Sequence, residues 1–376
     1  MDALMTTLPK DWEIKTFRDI STINQGLQIP ISQRLKAPTE HAKFYITIQA
    51  LNNRKEFEYI KTYNESVVCH KDDILMTRTG NTGMVITNIE GVFHNNFFKI
   101  NFDRTLINKD FLVYFLSLEQ TQRTILKKAG TSTIPDLNHN DFYSLTIPLP
   151  PLNEQIAIAN ILSALDRYLC TLDALILKKE GVKKALSFEL LSQRKRLKGF
   201  NQAWQRVRLG DIANYLTSNL SVEQITQQGE IKVYDVNNFI GYTDTTFISD
   251  KPYISIVKDG SVGRVRILPP KTNILSTMGA LIANHRTTTE FLFYLLSNFD
   301  FKNFTSGSII PHIYFKDYKE KTIFLPPLNE QIAIANILSD LDNEITSLKN
   351  KKRQFDNIKK ALNHDLMSAK IRVLEK

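Results

Sequence analysis

Chemistry needs particular side chains at particular spacings, and this sequence is poor in them. No Gly-Lys dipeptide occurs, so no Walker A loop is present to cradle a nucleotide phosphate. There is no Asn-Pro-Pro-Phe or Asp-Pro-Pro-Tyr tetrad of the kind with which an adenine methyltransferase holds its target base. Leu149-Pro150-Pro151-Leu152 and Leu325-Pro326-Pro327-Leu328 lack the polar first residue for that work. Pro135-Asp136 could open a nuclease carboxylate motif and Asp317-Tyr318-Lys319 could close one, but they stand in different halves of the chain. The 7 His and 2 Cys show no metal-ligand spacing, and Cys69-His70 alone reads as structural. No nucleophile-elbow motif is present. No catalytic and no metal-binding residue is therefore assigned, and the chain by itself is expected to catalyse nothing.

What remains is polar chemistry at loops. The first half offers Arg78, Thr79, Asn81, Thr82, Asn95, Asn96, Lys127, Lys128, Thr131 and Ser132. The second offers Lys258, Ser261, Arg264, Asn284, His285, Arg286, Ser306, Ser308, His312 and Tyr314. Arg, Lys, Asn and His suit base edges, while Ser, Thr and backbone amides suit phosphates. Taken singly, each also fits a solvated turn. Taken as two sets in a duplicated chain, they are candidate DNA contacts.

The elements that must position these loops repeat. Asp73–Ile86 and Tyr253–Ile267 each read as strand, tight turn, strand, with Gly80 and Gly83, or Gly260 and Gly263, at the turn. Phe111–Ser117 and Phe291–Ser297 read as short buried helices. Trp12 with Asp19-Ile20 opens the first half, and Trp204 with Asp211-Ile212 opens the second. Leu149–Asp166 matches Leu325–Asp342 at 17 of 18 positions with an offset of 176, differing only at Ala164 and Asp340. Two units of this kind make a tandem duplication, not a solenoid.

Each conserved block leads into a long helix. Proline at 150 and 151 bars an earlier start, and Asn153 suits the N-cap. Apolar residues then recur at alternating steps of four and three. The predicted helix-pair core is Leu162, Leu165, Leu169, Leu172 and Leu186 against Leu338, Leu341, Ile345, Leu348 and Leu362. Gly181 is a weak point in the first seam. Each helix runs for about 40 residues, or about 60 Å. The alternative is two surface helices, each packed on its own domain. Two matching seams in one chain favour pairing, and antiparallel pairing separates the domains instead of crowding them.

Composition bounds the class. The 376 residues are 42% hydrophobic and 10% aromatic, which suits a globular protein of two or more domains. No apolar run is long enough for a transmembrane helix, and MDALMTTLPKDWE has neither a basic start nor an apolar run of a signal peptide. Two cysteines fit a reducing cytoplasm. The net charge is +9 and permits a nucleic-acid partner. Residues 1–148 hold 17 basic and 16 acidic side chains, and residues 204–324 hold 13 and 11. The excess sits on the helical blocks, so any DNA contact by the larger segments is through local patches.

Two LPPLNEQIAIANIL blocks, each ending a variable domain and opening a long helix, resemble the specificity subunit of Type I restriction–modification systems. The Trp-led openings and Gly-x-x-Gly hairpins fit that family's target-recognition domains, and the resemblance covers essentially the whole chain. It implies an α+β fold of two mixed α/β target-recognition domains in pseudo-twofold tandem repeat, joined by two long helices in an antiparallel coiled coil. The implied division is a first recognition domain over 1–148, a helical spacer and linker over 149–203, a second recognition domain over 204–324 and a second spacer over 325–376. Each domain would read half of a bipartite, asymmetric site in double-stranded DNA, and the helices would set the spacing. Two methyltransferase subunits would dock on the chain, through Asn153, Glu154 and Gln155 and their twins Asn329, Glu330 and Gln331, or through the basic stretches Lys178–Lys184 and Lys351–Lys360. Restriction and translocase subunits would join through them. S-adenosylmethionine, ATP and Mg would bind in the partner subunits, not in this chain. No membrane association is implied. A duplicated stand-alone DNA-binding regulator is the second reading, and a self-contained restriction or modification enzyme the third.

Overall fold

In a computed structural model, residues 8–52 and 57–374 are described; Met1–Thr7, part of the stretch read as no signal peptide, lie outside them. The chain divides into two compact units, Met1–Leu172 with Lys351–Lys376, and Asp173–Asn350. Each takes one recognition segment and half of each long helix. Those helices span Leu152–Leu191 and Leu328–Met367. No helix among the described residues is long and apolar enough to cross a membrane.

The first unit is built on a four-stranded antiparallel sheet in the order Ser21–Gln25, Phe97–Phe102, Ile74–Thr77, Val85–Ile86. Ile74–Thr77 is buried along its whole length, as expected of a central strand with an apolar run. A second sheet sets Lys43–Ile46 parallel to Gly91–Phe93. Glu13–Thr16 pairs antiparallel with Thr146–Leu149, joining the start of the domain to its end. The second unit repeats the plan. Its sheet runs Ala213–Thr217, Met278–Ala283, Tyr253–Val257, Val265–Leu268, and Gln205–Arg208 pairs with Thr322–Leu325. Both expected hairpins form, and the short helices lie at Lys109–Leu116 and Thr289–Ser297, capped by Asn108 and Thr288.

Within each unit the helix halves run antiparallel. In the first, Tyr168 meets Phe355 with ring centroids 4.7 Å apart, and Asp166 pairs with Lys359. In the second, Lys183 pairs with Asp342 at 2.5 Å, Lys179 with Glu344 at 2.7 Å, and Glu180 with Lys349 at 2.6 Å. Tyr114 donates to Asp166 at 2.6 Å and Tyr294 to Asp342 at 2.9 Å, tying each domain's short helix to the long one. Burial, then the hydrogen bond to Asp166, pushes the Tyr114 hydroxyl up to about 12. Lys179, Lys183 and Lys359 of the basic stretches expected to dock partners are thus engaged in pairs between the helix halves.

Two parts of the sequence reading need correction. Leu162 and Leu338 are fully buried, but in the domain cores with Phe111 and Phe291, where Leu366 and Leu190 of the antiparallel helix join them. Seam and domain core are one body there. Leu169, Leu172 and Ile345 are buried, while Leu165, Leu186, Leu341, Leu348 and Leu362 are half-buried. The second correction concerns docking. Glu154, Gln155, Glu330 and Gln331 are buried and face inward. The indole N–H of Trp12 donates to Glu154 at 3.0 Å, and that of Trp204 to Glu330 at 2.9 Å. Arg372 donates to Glu154 and to Asp11, and Arg196 donates to Glu330. The amide of Gln155 donates to the carbonyls of Leu106 and Pro150, and its oxygen accepts from Asn108 N–H. Gln331 does the same with Arg286, Pro326 and Thr288. Only Asn153 and Asn329 of the six remain exposed. Nor is Asn153 the cap: the helix starts at Leu152, and the Pro151 carbonyl accepts from Glu154 N–H.

Gln155→Ala leaves the Leu106 and Pro150 carbonyls and the Asn108 amide without their partner. Denaturant unfolding of the full chain should show a loss of about 3 kcal/mol, whereas exposed Asn153→Ala should cost under about 0.5 kcal/mol. The two cysteines should also separate. Cys69 is buried, which pushes its thiol up to about 12, while Cys170 is exposed. Mass spectrometry after iodoacetamide at neutral pH should find Cys170 modified and Cys69 untouched until the chain unfolds.

Candidate nucleic-acid interface

Three loops meet at one end of the first unit's main sheet. The hairpin turn between Ile74–Thr77 and Val85–Ile86 needs left-handed backbone at Gly80 (φ 64°), Asn81 (φ 60°) and Gly83 (φ 90°). Thr77 locks it: its hydroxyl donates to the Asn81 carbonyl at 2.6 Å and accepts from Met84 N–H at 2.9 Å. The loop after Gly130 packs against this turn. Thr82 donates to the Pro135 carbonyl at 2.7 Å, Leu137 N–H donates to the Arg78 carbonyl at 2.8 Å, and the Arg78 guanidinium pairs with Asp136 at 2.7 Å. The turn at residues 94–96 is the third loop, its Asn96 carbonyl accepting from Arg78 N–H at 2.8 Å. His94 Nδ1 accepts from Asn96 N–H at 3.1 Å, and burial, then the Arg34 charge, holds the imidazole below its ordinary value.

The second unit assembles the corresponding loops. Its turn carries Gly260 (φ 82°) and Gly263 (φ 80°). Gly260 N–H donates to the Pro311 carbonyl at 2.8 Å, Ile313 N–H to Lys258, and Lys258 N–H to Thr277. Ser306 and His312 exchange backbone hydrogen bonds across the loop. His312 stacks edge-on against Tyr314 at 5.2 Å, and the Lys316 ammonium lies 5.3 Å from that ring.

The structure thus gathers most sequence-predicted residues into two loop clusters. In the first, Asn81, Lys127, Thr131 and Ser132 are exposed, Thr79 and Asn96 half-exposed. Lys128 donates to Ser144, and Arg78 lies over the Phe98 ring while paired to Asp136. Asn95 is half-buried, its backbone carbonyl accepting from Gln25. Thr82 is buried with its hydroxyl used inside the fold, so it fastens loops and offers nothing to a phosphate. In the second cluster Ser261, Arg264, Ser306, Ser308 and Tyr314 are exposed, Lys258 and His312 partly so.

Asn284, His285 and Arg286 are not in that cluster. They follow the strand Met278–Ala283, as Asp103 follows Phe97–Phe102. Asn284 donates to the Asp211 carbonyl, and Gln331 holds the Arg286 carbonyl at the start of the long helix. The counterpart of residues 94–96 is instead the turn at 275–277. Strand order therefore takes Asn284, His285 and Arg286 out of the candidate contact set for the second cluster. The contact candidates read from sequence also leave out Gln25 and His139, whose side chains meet at 3.1 Å beside Asn95, and the exposed tips Ile134, Ile309 and Ile310, although Ile134-Pro135 repeats as Ile310-Pro311. Aligning the halves on Pro135 and Pro311 reveals those tips.

Gly83→Ala combines a positive φ with a Cβ placed 2.7 Å from Gln122 Oε1 and 3.1 Å from Ile125. It should cost at least about 2 kcal/mol in thermal unfolding. Gly130→Ala has a similar φ but open space around it, and should cost only about 1 kcal/mol.

Comparison with known proteins agrees with this architecture. A family model described as the Type I restriction modification DNA specificity domain matches residues 9–179 and again 201–355. A Type I restriction enzyme specificity subunit (MjaVIII) of Methanocaldococcus jannaschii is 24% identical over 97% of this chain and 94% of its own. A putative type I restriction enzyme specificity subunit (MjaX) of the same organism is 26% identical over 97% and 95%. The crystal structure of a Type I restriction-modification system S subunit from M. genitalium superposes with a TM-score of 0.64 at 20% identity, covering 96% of this chain and 98% of that one.

Proposed function

Since the chain belongs to the Type I restriction modification DNA specificity family, as a specificity subunit with two target-recognition domains, we infer that each unit reads one half of a bipartite, asymmetric DNA site. One observation carries this reading. The same three-loop platform occurs twice on the same frame, with different side chains in each copy. Identical frames with unlike loops are what two readers of unlike sequences require. Exposed Arg264, Lys127 and Asn81 offer base-edge or phosphate contacts, and the backbone amides of the turns add donors.

The chain supplies specificity and assembly, and the chemistry belongs to its partners. Two copies of a methyltransferase subunit dock on the near-identical helical blocks, using S-adenosylmethionine to methylate adenine N6 after flipping the base out. Restriction and translocase subunits join through these and use ATP and Mg. With Glu154, Gln155 and their twins turned inward, the docking face falls to exposed Asn153, Ile156 and Asn160, repeated at Asn329, Ile332 and Asn336. The complex works on chromosomal DNA in the cytoplasm. In this reading the long helices, each about 60 Å, set the gap between the two half-sites of the DNA.

The test is a genome-wide map of N6-methyladenine in the native host with and without this gene. The expected result is a split motif, methylated on both strands, that disappears on deletion. An unchanged map contradicts the proposal. The variant Asn81→Gly, Lys127→Ala, Thr131→Ala changes only exposed side chains and keeps Thr82 and Gly83; it should change one half of that motif and leave the other, read on the same map.

A further inference from the structure

Three large apolar side chains project into water at the tips of the recognition loops. Ile134 is 64% exposed, Ile310 63% and Ile309 92%. A single exposed isoleucine needs no explanation, but Ile134 and Ile310 occupy the same place in the two units. Each precedes the proline whose carbonyl is gripped by the hairpin turn, by the Thr82 hydroxyl in one case and the Gly260 amide in the other. Each loop leaves a glycine at nearly the same left-handed angle, Gly130 at φ 89° and Gly307 at φ 90°. The grip holds the isoleucine outward, and the following proline stiffens the tip. A β-branched side chain adds little freedom of its own.

Cations flank both tips along the chain. Lys127 and Lys128 end the helix Glu119–Ala129 just before Gly130, and Lys302 precedes Gly307. Arg78 and Lys258 head the gripping turns. Asp136 neutralises Arg78 and Asp259 adjoins Lys258, which leaves exposed Lys127 and Lys302 as the cations flanking the two apolar points; that combination fits a polyanion with a stacked apolar interior, which is duplex DNA.

Resting on the reading that each unit binds a DNA half-site, we propose that Ile134 and Ile310 are wedges that press into the base stack beside the bases being read. Side chains shared by both units cannot encode two different half-sites. They act on what the half-sites have in common, the stacking of the duplex. A wedge opens one base step and is compensated by the closer approach of the neighbouring loops.

The experiment uses the complex purified from the native host and duplexes carrying its methylated motif. Binding is measured by fluorescence anisotropy for the wild type, Ile134→Ser and Ile134→Leu. A series of duplexes places one abasic site at each successive position through and beside the first half-site. On intact DNA, Ile134→Ser should bind about tenfold more weakly and Ile134→Leu close to wild type. An abasic site at one position, where the stack is already broken, should restore Ile134→Ser to within about twofold of wild type on that same duplex. Unchanged binding by Ile134→Ser overturns the proposal and turns the tip toward a partner subunit. Weakening that no abasic site relieves also overturns it, as does an equal loss on replacing one thymine by deoxyuracil, which marks a methyl contact. If the wild-type complex selects no motif at all, the half-site reading fails and takes the wedge with it.

Discussion

A carboxylate taken out of water must be given cations and donors, or it destabilises the fold that buried it. Glu154 and Glu330 impose that condition at the first turn of each long helix, at 2% and 0% exposure. Two remote stretches of chain meet to satisfy each one. The tryptophan that opens the recognition domain donates its indole N–H, and an arginine arrives from just beyond the end of the antiparallel helix. Arg196 and Arg372 are themselves related by the offset of 176 that relates the helical blocks. Domain opening, helix start and helix end are thereby fixed to one another in each unit.

The neighbouring glutamine extends this knot toward the recognition surface. Gln155 and Gln331 hold the segment that enters each short helix, and that segment follows the central strand whose other end carries the 94–96 or 275–277 turn. The sheet then presents the hairpin turn, and the hairpin turn grips the variable loop through a proline carbonyl. Every link is a backbone or buried side-chain interaction. Exposed side chains on the loops can therefore differ between units without disturbing the frame, which is the physical basis for two readers of different sequences on one plan.

The plan was legible in the sequence because it is written twice. The repeat, both glycine hairpins and both short helices follow from spacing alone, and the structure forms them. Identity between the copies was less informative about direction. A residue held for a partner and a residue held for an internal knot repeat equally well, so Glu154 and Gln155 read as docking residues until their burial was visible. Heptad spacing likewise cannot say whether Leu162 faces the other helix or the domain, and here the two cores merge. Asn284–Arg286 are polar and precede a short helix, so residue type made them candidate contacts, and only strand order places them away from the hairpin turn. A search for polar contacts passed over Ile134 and Ile310 because their side chains are apolar.

The account's central claim is that the chain holds two interchangeable readers on equivalent frames. The most direct measurement replaces residues 13–149 with a second copy of 205–325 in the full chain and maps N6-methyladenine in the native host lacking the original gene. The account predicts a new split motif whose two halves both carry the sequence formerly found in the second half. Methylation that keeps the original first half, or none from a chimera that folds and still binds its partners, would contradict it.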